Sequence, residues 1–72
     1  MAFSYGERVA AIRAALEEPR TVAQVAALLQ MDTDRVKGLI NYLRGLHLVA
    51  RVGETPMPSG QTAALYQRVE AQ

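Results

Sequence analysis

The chemistry open to this chain is concentrated in one basic span. Arg35, Lys37, Arg44 and Arg51 stand within it, and no Asp or Glu interrupts them. The acids lie to either side, at Glu7, Glu17, Glu18, Asp32, Asp34, Glu54 and Glu70. Cations without anions attract polyanions such as phosphate backbones, although the same cluster on another fold is only a solvated face. A net charge of +1 does not choose between the two. Placement does, because the cluster matters only if one element presents it to a groove.

Other chemistries lack their parts. His47 is the single histidine, at a helix-to-strand junction where an imidazole serves structure more often than catalysis. Glu17 and Glu18 are adjacent and, on a helix, point different ways. No nucleophile, base and orienting group recur at useful spacing. With no cysteine there is neither a thiolate metal site nor a disulfide. The expectation is a chain that is not an enzyme and uses no metal and no cofactor.

Seventy-two residues make one domain, and a chain this short buries only about 60% of its unfolded surface. Half of the residues are apolar, which suits a compact fold. No apolar run approaches the roughly 20 residues of a membrane span. Met1 to Gly6 lacks the basic and apolar regions of a secretory signal. The expectations are a cytoplasmic location, no membrane partner and no small-molecule effector.

The elements that would carry the cations follow from caps and periodicity. Ser4-Tyr5-Gly6-Glu7 has capping-box spacing, and Val9, Ile12 and Leu16 recur at helical intervals until Pro19 forbids continuation. Thr21-Val22-Ala23-Gln24 repeats the box. Asp32 then supplies a third N-cap, followed by the apolar stripe Val36, Leu39, Ile40 and Leu43, which Leu46 extends. These signals predict helices over about 5–17, 22–29 and 33–45. After Gly45 the β-branched run to Val52 reads as a strand, residues 53–60 as a Pro/Gly loop, and Ala64–Val69 as the returning strand. The hairpin spans about 47–69. One core should join Val9, Ile12, Leu16, Val25, Leu29, Val36, Ile40, Leu43 and Leu48, with no strand between Ala10 and Leu43.

The spacing across the second and third helices is the specific signal. Ala26 is small where the third helix must approach, Gln30-Met31-Asp32 is a three-residue turn, and Val36 and Ile40 face back onto Ala26 and Leu29. Residues 21–52 resemble the winged helix-turn-helix of bacterial transcription regulators, including the multiple-antibiotic-resistance regulator family. The matching places are Ala26, Leu29-Gln30, Asp32, Val36, Leu43 and His47-Leu48-Val49. The fold expected is mainly α with a small β-hairpin, a three-helix winged helix-turn-helix. Gln30 and His47 stand where the family has Gly, so the turn at Gln30 is expected to differ slightly in shape.

The resemblance implies double-stranded DNA as partner, with the third helix in the major groove, as in a small transcriptional regulator. Carried over, Thr33, Arg35, Lys37, Gly38 and Asn41 face the bases and Arg44 lies beyond them. Thr21 holds a phosphate at the second helix, and Arg51, Ser59 and Gln61 reach the backbone or minor groove. Asp34 opposes phosphate. Three to five phosphate contacts would give a slope of log affinity on log salt of about −3 to −4. The alternative is a protein-interaction module on the same fold. A weak homodimer is also expected, with Phe3, Tyr5 and the Ala64–Val69 strand as spare apolar surface and Tyr42 as an anchor or dimer contact.

Overall fold

In the computed structural model, which describes residues 4–69, each helix begins on a side-chain cap. The Ser4 hydroxyl accepts the Glu7 amide at 3.2 Å and opens α1, Tyr5–Ala15. Thr21 and Gln24 cap reciprocally: the Thr21 hydroxyl accepts the Gln24 amide at 3.1 Å, and Gln24 Oε1 accepts the Thr21 amide at 2.9 Å. This opens α2, Val22–Leu29. Asp32 accepts the Arg35 amide at 3.1 Å and opens α3, Thr33–Gly45. The first helix ends two residues before its expected limit. Leu16 and Glu17 donate to the Arg13 and Ala14 carbonyls at 3.2 and 3.3 Å, so the last turn tightens to i→i+3 bonding before Pro19.

The second and third helices end in the same device. Gln30 donates to the Ala27 carbonyl and Met31 to that of Ala26; likewise His47 donates to Arg44 and Leu48 to Leu43. Both are Schellman closures, with Gln30 and His47 left-handed at φ 52° and 62°. The expectation of a different turn at Gln30 is corrected: the turn keeps the glycine shape and Gln30 bears the strain. Two closing hydrogen bonds and the packing of Met31 or Leu48 on the core hold each residue there. Replacing Gln30 or His47 by Gly relieves about 1–2 kcal/mol of left-handed strain and gives back about 0.5–1 in unfolded-chain entropy. Each variant is expected to melt a few degrees higher by circular dichroism. An unchanged or lower melting temperature would refute the strain.

The helices meet over one core of Ile12, Leu16, Val25, Ala26, Val36, Leu39, Ile40, Leu43 and Val49. Val9, Leu29 and Leu48, also expected there, pack against it partly buried. Leu46 does not extend the stripe, because at the α3 C-cap it is half exposed.

Two strands, β1 (Val49–Pro56) and β2 (Thr62–Arg68), form an antiparallel hairpin in register Val49↔Arg68 to Pro56↔Thr62. Residues 53–56, read above as loop, belong to β1. Pro56 is tolerated because both strands of a two-stranded hairpin are edge strands. The turn is correspondingly short: Met57 donates to the Gln61 carbonyl at 2.7 Å and Gly60 to Met57 at 3.0 Å, with Gly60 at φ 88°. A register shift between Arg51 and Gly53 leaves Val52 as a bulge, which bends the strand and increases its twist. Arg20 adds a one-residue bridge, exchanging hydrogen bonds with Tyr66 at 3.0 and 2.8 Å. The sequence reading had no strand there, since a single extended residue has no periodicity to detect. No helix among the described residues is long and apolar enough to cross a membrane.

Three helices followed by a two-stranded antiparallel hairpin is a winged-helix-like layout.

Candidate nucleic-acid interface

The third helix buries Val36, Leu39, Ile40 and Leu43 and exposes the rest of its circumference. Thr33, Lys37, Asn41 and Arg44 follow at i, i+4, i+8 and i+11, so they form one outward stripe, and all four are exposed. Asp34 is exposed beside them, and Arg35, seven residues before Tyr42, is exposed at the far edge of the helix's open face. Gly38 is open: a Cβ there would meet nothing within 4 Å. Packing does not require it, and its lack of a side chain leaves the middle of the face low.

The cations divide by what holds them. Arg35 and Lys37 make no side-chain hydrogen bond or ion pair with any described residue. Arg44 lies over the Tyr66 ring, 5.3 Å from its centroid, a cation–π contact that ties the far end of α3 to the hairpin. Arg51 is ion-paired with Glu54, three residues on. The acid-free span of the sequence is therefore not acid-free in space. Arg20 and Arg68 are matched with Glu18 and Glu17 at 3.2 and 3.6 Å.

The other expected site residues are dispersed. Thr21 is buried, at 6% exposure, and its hydroxyl is committed to the cap. That cap takes the Thr21 and Gln24 amides and leaves those of Val22 and Ala23 as the first-turn donors. Ser59 and Gln61 are exposed in the wing turn. Thr33 and Lys37, the first turn of α2 and the wing tip Thr55–Pro58 border one open cleft of about 530 Å³. Sequence reasoning missed it, because residues 55–58 carry no periodic signal and nothing local shows that the bulge folds them toward the helices.

No protein family, characterised protein or solved structure compared with the chain matches it. The site must be read from its own geometry. Among the described residues no three His, Asp or Glu side chains cluster as metal ligands would.

Away from this face, Tyr5 and Tyr42 meet edge-on with ring centroids 6.1 Å apart, 55% and 50% exposed. Partial desolvation, then the neighbouring Tyr42 hydroxyl, pushes the Tyr5 phenol above the usual tyrosine range. Tyr42 is thus half exposed, with the Tyr5 ring on one side of it. The Ala64–Val69 strand is not spare surface throughout: Tyr66 packs on the core and its backbone is taken by Arg20, while Val69 is exposed. Phe3 lies outside the described residues.

Proposed function

We propose that this chain binds double-stranded DNA as a winged helix-turn-helix domain of the bacterial regulator type, with α3 in the major groove and the hairpin against the adjoining backbone. It has no catalytic role in this reading. The observation that carries the reading is the pairing state of the cations. Arg35 and Lys37 project from the first two turns of the exposed helix with no partner among the described residues, while Arg20, Arg44, Arg51 and Arg68 are engaged with Glu18, Tyr66, Glu54 and Glu17, and the other two unpaired arginines, Arg8 and Arg13, lie on α1. Phosphate neutralisation needs cations that no protein anion already holds. Asn41, one turn beyond Lys37 on the same stripe, is the residue suited to read adenine.

The pairing state also revises the expected salt dependence. With Arg51 held by Glu54, two to four phosphate contacts remain, for a slope of about −2 to −4. Fluorescence anisotropy on a labelled random duplex, at about 50 and about 200 mM salt, measures it. Selected on a site library, the protein should prefer one adenine that Asn41→Ala no longer distinguishes, a loss of about 1–3 kcal/mol at that base pair alone. No binding to any duplex at the lower salt would overturn the reading. The protein-interaction reading would then replace it, and the exposed Tyr5–Tyr42 pair with Leu46 is the surface, including for a homodimer, that favours it.

A further inference from the structure

The turn that joins the two strands has nothing with which to hold a phosphate. Residues 55–67 contain no Lys, Arg, Asp or Glu. At the turn Pro56, Met57 and Pro58 stand in a row and all are exposed, Met57 at 41%. None of the three packs on the core. The tip is also stiff before it meets anything. Each proline ring fixes its own φ, and the Met57–Gln61 and Gly60–Met57 hydrogen bonds, at 2.7 and 3.0 Å, close the turn. A tip ordered in this way has little conformational entropy left to lose on binding. It borders the same cleft as Thr33 and Lys37, so an uncharged apolar point stands beside the first turns of α3.

We propose that the wing tip is an apolar wedge: Met57, braced by Pro56 and Pro58, enters the minor groove, opens one base step and bends the duplex. The inference rests on the DNA reading and gives the turn a role other than phosphate contact. The surfaces on either side select insertion. Laid on the outside of the duplex, three apolar side chains would desolvate phosphates and return no hydrogen bond. The faces of the stacked bases are the large apolar area of a duplex, and they are reached only where a step unstacks. Met and Pro are among the side chains that enter such steps. The cations of α3 provide the attraction that a neutral tip lacks, and unstacking draws on it.

The test uses the full chain and a duplex of about 20 base pairs with a fluorophore at each end. Energy transfer between the ends reports a bend wherever the chain binds, and anisotropy reports binding itself. Transfer is expected to rise at saturation, since a kink of about 20–90° brings the ends together. A single central mismatch loosens a step in advance, so the mismatched duplex should bind about tenfold more tightly than the matched one. That ratio should be the same at about 50 and about 200 mM salt, because an uncharged tip releases no counterion. Met57→Ser should lose both the bend and the mismatch preference and keep the salt slope that α3 sets. Met57→Leu should keep all three. The Met57 side chain is exposed and the turn is closed through its backbone, so neither change disturbs the hairpin, and circular dichroism of each variant verifies the fold. Binding without a bend, or without a mismatch preference, overturns the wedge and leaves the DNA reading standing. So does a Met57→Ser chain that bends the duplex as the unaltered chain does. No binding to any duplex overturns both.

Discussion

Ile40→Ala is expected to bring the chain close to its unfolding midpoint at room temperature. Ile40 is fully buried in the middle of α3, among the residues that join this helix to α2. Truncation to Ala at such a position costs about 2–5 kcal/mol, from lost transfer energy and from the cavity left behind. A chain of this length holds only about 4–11 kcal/mol in total at 0.05–0.15 kcal/mol per residue, and small domains sit at the lower end. With no cysteine in the chain, no disulfide supplements the core. Far-UV circular dichroism and urea titration measure the loss. Ile40→Val, about 0.5–1.5 kcal/mol, should fold with a lower urea midpoint. Leu28→Ala, an apolar truncation at a residue 55% exposed, should shift it little. An unchanged midpoint for Ile40→Ala would show that α3 does not pack as described.

Why so much of this fold was legible in the sequence is visible in the caps. Ser4, Thr21 and Asp32 each accept the amide three residues on, a local geometry that depends on nothing distant. The apolar stripe of α3 is equally local, because a 3.6-residue period has one solution. What went unread depends on contacts between distant segments. The Arg20–Tyr66 bridge joins residues that no periodicity relates. The extension of β1 through Pro56 follows from pairing with Thr62, which overrides the loop propensity of Gly53 and Pro56. The same limit governs the candidate site. That Lys37 and Asn41 share one outward face follows from their four-residue spacing alone. The neutralisation of Arg51 is not legible in the sequence, because residues 53–60 read as loop and a strand bulge brings Glu54 to Arg51.

The pairing states turn into a ledger that binding experiments can read. Affinity for a duplex varies as about the −0.9 power of salt for each phosphate neutralised, so at about 0.1 M salt one contact is worth about eightfold. Arg35→Ala with Lys37→Ala removes the two α3 cations that engage no other side chain among the described residues. Affinity is expected to fall about sixtyfold, and the slope to move toward zero by about two. Glu54→Gln works in the opposite sense. It releases the Arg51 guanidinium, half exposed in its present ion pair, to a phosphate, so affinity should rise by up to about eightfold and the slope steepen by about one. Both changes alter net charge as well as contacts. Arg8→Gln, on α1 and outside the proposed set of contacts, separates the two effects, since it removes one positive charge and none of those contacts. If long-range attraction alone governed binding, Arg8→Gln would weaken it about as much as Lys37→Ala does. If α3 meets the duplex, Arg8→Gln leaves the slope where it was and Lys37→Ala does not. Equal effects from these two single substitutions would remove α3 from the interface, whatever affinity the chain retains.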